Sequence, residues 1–151
     1  MSYRWQTVPF AELSNNELYT LLRLRQEIFV VEQDCIYQDL DGRDQQAIHM
    51  LCWSGTELLA YQRCLEPGVS YAESSIGRIV VAPAGRGTGL GNELVSKGVD
   101  YNLERWPTCT IRINAQAYLE AFYTRLGFVA AGDQYDEDGI PHLQMLYQGN
   151  L

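Results

Sequence analysis

The stretch that decides the fold is IGRIVVAPAGRGTGLG, which runs from Ile76 to Gly91. It begins with an apolar, β-branched run that ends at Val81, turns at Ala82-Pro83 and enters a glycine-rich segment. Apolar residues then recur at helical spacing, at Leu90, Leu94, Val95 and Val99. This order predicts a strand, a glycine-rich turn and a helix. The unpaired backbone N–H groups at such a helix N-terminus favour binding of a phosphate.

Three phosphate-binding patterns compete for this turn. A P-loop needs Gly-Lys-Ser/Thr at the end of its loop, and Lys97 comes too late. A dinucleotide-binding fingerprint would use Gly87 and Gly89 but needs a third small residue where Asn92 stands. The pattern Arg/Gln-x-x-Gly-x-Gly/Ala is matched at every fixed position, by Arg86, Gly89 and Gly91. A glycine-rich turn without a ligand is the remaining alternative.

The third pattern resembles the pyrophosphate loop of the GNAT superfamily of acyl-CoA-dependent N-acyltransferases. A second stretch, from Asn114 to Phe128, resembles the strand-and-helix signature of the same superfamily, because Ala121-Phe122-Tyr123 is followed after three residues by Gly127-Phe128. The small residue that the family usually has three positions before its Phe-Tyr pair is matched less closely, by Tyr118 or Leu119. The two motifs in this order are more specific than either one alone.

Shorter stretches resemble the bacterial ElaA-like branch of the superfamily. They are Arg25 and the segments 29–33, 37–42 and 137–142. The resemblance therefore extends over residues 3–147, and it implies a single N-acetyltransferase domain over residues 1–151.

The composition is typical of a globular chain, since 46% of the 151 residues are hydrophobic and 20% are charged. No apolar run reaches the roughly 20 residues that span a bilayer, so no membrane partner is expected. The four cysteines lack C-x-x-C spacing and the N-terminus lacks a signal-peptide core, so we expect a reduced, cytoplasmic chain. Two histidines argue against a metal site. The net charge of −8 argues against nucleic-acid binding and favours a cationic substrate such as an amine.

Hydrophobic periodicity and turn residues predict strands and helices along the whole chain. Ser14 to Glu17 has the form of a capping box, from which the first helix should run to about Val31. Asp138-Gly139 predicts a hairpin turn, and Pro141 suggests a loop longer than two residues. The predicted strands are 3–8, 48–53, 57–65, 76–81, 109–114, 128–135 and 142–147, and later helices run from the glycine-rich turn to 105 and over 117–126. The fold class is α/β (α+β), the GNAT fold, with a mixed, mostly antiparallel central sheet flanked by helices.

The family resemblance implies acetyl-CoA as cosubstrate and no metal. In the family the sheet opens beside the central strand and the pantetheine arm pairs with that strand, here at Ile79, Val80 and Val81. The N–H of Val81 is then the candidate donor to the thioester oxygen. The pyrophosphate is expected on the N–H groups of Arg86, Gly87, Thr88, Gly89, Leu90 and Gly91. The Arg86 side chain either adds charge there or is solvated, and Asn114 is expected to contact pantetheine or an ordered water.

Tyr123 is the candidate general acid, because a phenol can protonate a departing thiolate; a core tyrosine is the alternative. Some family members deprotonate the amine with a glutamate in the central strand, but that place falls near Ser75 here, with Glu73 two residues before it. Glu32 and His142 are therefore the candidates for the base, directly or through water. Each also fits a local role, Glu32 as a surface charge and His142 as a polar strand residue.

On the acceptor side, Asp39 and Asp41 are candidates to attract the amine, unless they belong to a solvated loop. Arg78 is unusual in an apolar strand, and it either binds a substrate carboxylate or pairs with an internal Asp or Glu. The sequence thus predicts transfer of an acetyl group from acetyl-CoA to an amine of a small molecule or peptide by direct attack in a ternary complex. The alternatives are a non-catalytic acyl-CoA-binding module and a protein that binds another phosphate ligand. Apolar strand edges favour a homodimer.

Overall fold

The core of the molecule is an eight-stranded sheet, seen in a computed structural model that describes residues 2–149. In chain order the elements are β1 (Arg4–Pro9), α1 (Asn15–Arg25), β2 (Ile48–Ser54), β3 (Glu57–Leu65), β4 (Ser74–Val81), α2 (Leu90–Arg105), β5 (Ile111–Gln116), α3 (Glu120–Arg125), β6 (Phe128–Ala130), β7 (Tyr135–Glu137) and β8 (Ile140–Tyr147). The strand order is β1-β2-β3-β4-β5-β8-β6, and β7 also pairs with β8. Neighbours are antiparallel except β4 and β5, so the predicted mixed, mostly antiparallel sheet is confirmed.

The parallel strands β4 and β5 separate after a short contact. Ser74 lies opposite Ile111 and Ser75 opposite Arg112, and beyond these pairs both strands continue along diverging paths. A wedge therefore opens between two strand edges. Such edges offer backbone N–H and C=O groups to a ligand or another chain.

A β-bulge bends β4 next to this wedge. Between the pairs Gly77–Arg63 and Val80–Tyr61, two residues of β4 face one residue of β3. Arg78 lies in the bulge with a φ of +53°, a left-handed conformation that costs a residue with a Cβ about 1–2 kcal/mol. Ion pairs of the Arg78 side chain, described below, hold it in this conformation.

Helix α1 begins as the sequence predicts and changes its winding before it ends. Ser14 Oγ accepts a hydrogen bond from the Glu17 N–H (3.1 Å), and the Glu17 carboxylate accepts one from the Ser14 N–H (2.8 Å), which confirms the capping box. After Arg25 the chain continues as a π-helical segment, Gln26–Glu32. Helical winding thus ends within one residue of Val31, but its last turns are π-helical, a winding frequent at functional sites.

Helices cover both faces of the sheet. Leu21, Leu24 and Ile28, from α1 and the π-helical segment, pack on β2, β3 and β4. Helix α2 packs on the opposite face, where a Cβ at Gly98 would lie only 2.5 Å from Gln62 Nε2, and α3 packs beside it. On the α1 side, β5 and β8 present a row of polar side chains: Arg112, Asn114, Gln116, His142 and Gln144.

Three predicted boundaries are wrong. Strand β5 covers Ile111–Gln116 rather than 109–114. The helix expected over 117–126 begins as a 3₁₀ turn, Ala117–Leu119, and becomes α-helical only in α3. The strand expected over 128–135 is interrupted between β6 and β7, because these two strands pair with different parts of β8.

The hairpin between β7 and β8 has a two-residue loop, so the longer loop inferred from Pro141 is wrong. Asp138 and Gly139 have φ of +53° and +82°, as a tight type I′ turn requires. Pro141 lies inside β8 opposite Asp136. The pairing of β8 with β5 starts only at His142, so the missing N–H of the proline removes no hydrogen bond there.

The helices, the metal-ligating residue types and the cysteines of residues 2–149 bear on membranes, metals and redox chemistry. None of the helices there is long and apolar enough to cross a membrane, and no three His, Cys, Asp or Glu residues are grouped so as to hold a metal ion. The four cysteines are free thiols. Burial raises the pKa of Cys52 to about 11 and that of Cys64 to about 12, so both thiols stay protonated near neutral pH.

Candidate active site

A cavity of about 770 Å³ lies where β4 and β5 diverge, and it gathers most of the residues singled out in the sequence. The π-helical segment and the β7–β8 hairpin complete its walls. The candidates that line it are Glu32, Asp41, Arg78, Ile79, Val80, Val81, Arg86, Gly91, Asn114, Tyr123 and His142. The candidates outside its lining are Asp39, Gly87, Thr88, Gly89 and Leu90.

The glycine-rich turn presents backbone N–H groups at the N-terminus of α2. Gly87 and Gly89 have φ of +77° and +81°, and Gly89 is the N-cap residue. A Cβ at either position would meet nothing within 4 Å, so glycine is needed there for conformation, and the surface is open to a ligand. Thr88 Oγ1 donates to the Gly85 carbonyl (2.7 Å) and braces the turn. The side chain of Leu90 is buried in the core, which leaves only its backbone for binding.

The end of β4 directs one peptide group into the wedge. The Ala82 N–H donates to the Leu59 carbonyl of β3 (2.8 Å). By the alternation of an antiparallel ladder, Val81 therefore directs its N–H and C=O away from β3, toward β5. Arg86 Nε donates to the Val81 carbonyl (3.2 Å). The Val81 N–H has the orientation that a donor to a thioester oxygen in the wedge needs.

Arg86 joins the glycine-rich turn to the π-helical segment. Its guanidinium donates two hydrogen bonds to the Glu32 carboxylate, at 2.7 and 3.3 Å. Both side chains are about half exposed, so the pair adds little to stability. Arg86 is thus fixed beside the cavity rather than free in solvent. Glu32, one of the two candidates for the base, is therefore already bound in an ion pair with an arginine.

Tyr123 lies in the wall of the cavity with 5% of its surface exposed. Its ring packs edge-on against Phe122 and Phe128, with centroid distances of 5.1 and 5.9 Å. Burial raises the pKa of its phenol above the ordinary value, so the hydroxyl keeps its proton at physiological pH. Tyr123 is therefore a core residue that also borders the cavity, and the two interpretations of its role are compatible.

His142, the other base candidate, lines the cavity from β8 and is buried. Its Nδ1 lies 2.7 Å from the Ile140 carbonyl oxygen, and its Nε2 lies 3.6 Å from Glu137 Oε2. The Tyr135 ring stacks beside the imidazole, with 6.4 Å between centroids. The imidazole thus faces a carboxylate, whereas Glu32 faces a guanidinium.

A buried charge cluster lies beside the inner end of the cavity, which is the end around Arg63 and Ser75. Arg25 donates to Asp39 (2.8 Å) and to Asp44 (2.7 Å). Arg63 donates to Asp44 (2.9 Å) and to Asp41 on the same loop (2.9 Å). The complete charge cluster is Arg25, Asp39, Asp41, Asp44, Arg63 and Arg78.

The charge cluster is balanced, and its most buried arginines are withdrawn from water, since Arg25 is 0% and Arg63 3% exposed. The side chains of Arg78 and Asp41 are partly exposed where they line the cavity. Burial alone would raise the pKa of Asp41, but the hydrogen bond and charge of Arg63 hold it well below its usual range. Arg25 acts in the same way on Asp44, lowering its pKa against the effect of burial. Both carboxylates are therefore ionised at neutral pH, and each charge has a partner, as a buried charge requires.

These contacts bear on the roles predicted for the acceptor side. Asp39 and Asp41 bind arginines of the charge cluster rather than lying in a solvated loop, and Asp41 also lines the cavity. Attraction of the amine by these carboxylates stays a prediction. Arg78 Nε lies 2.7 Å from Asp39 Oδ1, which is the internal pairing, the second of its two alternatives. Glu73 accepts two hydrogen bonds of 3.1 Å from Arg112, so the carboxylate near the family's usual base position is also paired.

Asn114 also has partners within the protein. Its Nδ2 donates to Glu137 Oε2 (2.9 Å), and its Oδ1 accepts from the Tyr135 hydroxyl. The side chain predicted to contact pantetheine or water therefore ties β5 to β7. One N–H of the amide and one lone pair of its oxygen remain for a ligand or a water in the cavity that Asn114 lines.

Sequence reasoning missed Arg63, Asp44 and Glu137. For Arg63 the sequence did hold a signal, because an arginine within an apolar strand needs a partner once the strand is buried. The partner could not be named, since the residues that bind Arg63 come from a loop before β2 and meet it only in the folded chain. Glu137 lay next to a recognised turn, and nothing local linked it to His142.

Comparison of the sequence with protein families matches residues 12–148 to the acetyltransferase (GNAT) domain. The protein ElaA of Escherichia coli strain K12 is 43% identical over 143 residues, which are 93% of this chain and 94% of ElaA. A UPF0039 protein of Synechocystis is 38% identical over 149 residues, 98% of this chain and 97% of that protein. The resemblance predicted from the two motifs is thereby confirmed.

Solved structures agree with the sequence comparison. A crystal structure of an acyl-CoA N-acyltransferase from Pseudomonas aeruginosa superposes with a TM-score of 0.92 and 42% identity, covering 97% of this chain and 99% of that one. The crystal structure of Escherichia coli ElaA gives a TM-score of 0.91 and 40% identity, covering 97% and 100%. The fold predicted from the sequence, that of an acyl-CoA N-acyltransferase, is thereby confirmed.

Proposed function

Because this chain belongs to the GNAT acetyltransferase family, we propose that it transfers an acetyl group from acetyl-CoA to an amine of a small molecule or peptide. Membership supports N-acyl transfer with an acyl-CoA cosubstrate. The observation that carries the proposal is the wedge between β4 and β5, which has the glycine-capped start of α2 at one end and Tyr123 in its wall.

The residues of the wedge fit an acyl-CoA molecule. The exposed edge of β4 offers the peptide groups of Ile79 and Val81 to the amide groups of a pantetheine arm. The first turn of α2 offers N–H groups and the positive end of its dipole to a pyrophosphate. Arg86 lies close enough to add charge to the same site, and a phosphate would compete with Glu32 for its guanidinium.

The reaction can be written with the groups at hand. The amine nitrogen attacks the thioester carbon, and the Val81 N–H stabilises the charge that develops on the carbonyl oxygen. The C–S bond breaks, and the leaving sulfur takes a proton from Tyr123. The acceptor nitrogen gives up its proton to a base, for which His142 is better placed than Glu32, because Glu32 is bound to Arg86. Holding both reactants in one cavity removes much of the entropic barrier.

Calorimetric titration with acetyl-CoA, with desulfo-CoA and NAD as comparators, tests the cosubstrate. We expect selective binding of the CoA compounds over NAD. Thiol release from acetyl-CoA and longer acyl-CoA molecules, measured over a panel of amines, amino acids and peptides, then tests the transfer. Faster release with acetyl-CoA than with longer chains supports acetyl transfer. Binding without amine-dependent release over the whole panel would favour the non-catalytic acyl-CoA-binding module.

A further inference from the structure

The imidazole of His142 is held in one tautomer by the hairpin that carries it. Its Nδ1 lies 2.7 Å from the Ile140 carbonyl oxygen, which can only accept a hydrogen bond, so Nδ1 carries the hydrogen. In the neutral ring the lone pair is then on Nε2. The hydrogen bond is formed within two residues of one strand, so every molecule with the folded hairpin has this arrangement.

The carboxylate that faces this lone pair is held in place by two further strands. The same Oε2 of Glu137 that lies 3.6 Å from His142 Nε2 accepts a hydrogen bond of 2.9 Å from Asn114 Nδ2. The Tyr135 hydroxyl donates to the other end of the Asn114 amide, and its ring stacks on the imidazole. Strands β5, β7 and β8 thus converge on one carboxylate–imidazole pair.

The groups that face His142 are acidic or neutral. Strand β7 contributes Glu137 and the phenol of Tyr135, which lies opposite His142 in the ladder. Strand β5 contributes the neutral amides of Gln116, its ladder partner, and Asn114. Protonation of Nε2 would therefore place a new N–H directly against an anion, which stabilises the charged ring.

We propose that Glu137 is the positioning residue for His142, and that His142 Nε2 accepts the proton of the acceptor ammonium before acyl transfer. This inference rests on the proposed function and extends it. The acceptor N–H bond breaks, the proton moves to Nε2, and the nitrogen keeps the electron pair with which it attacks the thioester carbon. The Ile140 carbonyl holds the orientation of the neutral ring, and Glu137 stabilises the imidazolium until the proton passes to water.

The first test needs no catalysis, because the protein has only two histidines and the signals of His142 can be followed by NMR. We expect the Nδ1–H tautomer in the neutral protein. We expect the same tautomer in Glu137→Gln, because the hydrogen bond of Nδ1 to the Ile140 carbonyl does not involve Glu137. The Nε2–H tautomer would overturn the proposal.

The matched control for charge is Asp136→Asn on the same strand. Asp136 lies between Tyr135 and Glu137, so it points to the opposite face of β7, and its Oδ2 accepts from the Gly139 N–H (3.2 Å). An asparagine keeps that acceptor while it removes one negative charge from the hairpin. We expect kcat for acyl transfer in Asp136→Asn to match the parent protein. A loss as large as that in Glu137→Gln would mean that hairpin charge, and not the specific contact, supports His142.

The second test uses the rate of acyl transfer at one pH. In Glu137→Gln we expect kcat to fall about 10-fold with the KM for acetyl-CoA unchanged, whereas His142→Gln should lose about 100-fold in kcat. The ionisation of the acceptor amine is common to all variants and cancels in the comparison. An unchanged kcat in both variants would exclude His142 as the proton acceptor. If the parent protein binds acyl-CoA but transfers nothing, the proposed function itself fails and the catalytic role with it.

Discussion

The two ends of the cavity are formed by different kinds of chemical group, backbone N–H groups at one end and charged side chains at the other. At the glycine-rich turn, the groups available to a ligand are backbone N–H groups of consecutive residues at the start of α2, and the side chains contribute little. At the inner end, the structure depends on side chains brought together from α1, β3, β4 and the loop before β2. The difference bears on mutation, because backbone donors survive most substitutions, whereas one change in the charge cluster alters its neighbours.

The largest effect is expected at the inner end, in Arg25→Met. Loss of Arg25 leaves Asp39 and Asp44 with one arginine each instead of two in a buried site, which should lower the free energy of unfolding by about 3–5 kcal/mol. Urea unfolding measures this change. Arg23→Met is the matched control on the same helix, because Arg23 makes only an exposed pair with Glu27 and should lose about 0.5 kcal/mol or less. Equal losses in the two variants would show that the charge cluster is not the element that stabilises the inner end.

The next effect is expected where the two ends meet, in Tyr123→Phe. The phenyl ring keeps the packing against Phe122 and Phe128 but has no proton to give to the leaving thiolate. We expect kcat to fall about 100-fold with little change in the dissociation constant for acetyl-CoA. Single-turnover kinetics and calorimetry separate the two quantities. Unchanged turnover would assign Tyr123 to the core alone.

A smaller effect is expected at the glycine-rich turn, in Gly89→Asp. Aspartate tolerates the left-handed conformation of Gly89 and is a good N-cap, so α2 should stay folded. Its negative charge would oppose the pyrophosphate at the N–H groups of the first turn, at a cost of about 2 kcal/mol in acyl-CoA binding. Gly89→Asn is the neutral control and should bind more tightly than Gly89→Asp in calorimetry. Equal affinity in the two variants would place the pyrophosphate elsewhere.

The smallest expected effect is a pH dependence of the free energy of unfolding, and it comes from His49, which contacts the charge cluster at Asp44. His49 is buried, its Nε2–H donates to the Asp44 carbonyl (2.8 Å), and its Nδ1 accepts from the Tyr61 hydroxyl (2.7 Å). Burial lowers the pKa of His49, so the folded state binds fewer protons than the unfolded state once the pH falls below about 6.5. The free energy of unfolding should therefore decrease with falling pH, by at most about 1.4 kcal/mol per unit.

Urea unfolding between pH 7 and pH 5 measures this slope, and His49→Gln should flatten it. Glutamine keeps a donor and an acceptor at the site but does not titrate. A slope of the same size in the variant would assign the pH dependence to other groups. The carboxylates of the charge cluster add their own loss only at more acidic pH, because the pKa values of Asp41 and Asp44 are held below their usual range.

Elements with a local cause could be predicted from the sequence. The capping box at Ser14 and Glu17, the strand that ends at Val81 and the helix from Leu90 all depend on residues within a few positions of one another. The hairpin at Asp138-Gly139 was located for the same reason, and only its length was misjudged. The winding of Gln26–Glu32 as a π-helix was missed, because its apolar spacing resembles that of an α-helix.

The sequence by itself determined the family, the fold class and the glycine-rich turn before α2, because glycine conformation, helix capping and strand pattern act over short distances. Only the tertiary structure decided the partners of the charged side chains. In the folded chain Arg78 pairs with Asp39, Glu32 pairs with Arg86, and Glu137 lies beside His142. The physical reason is that a buried charge is satisfied by whichever opposite charge the fold brings within hydrogen-bond reach, and sequence distance does not constrain that choice.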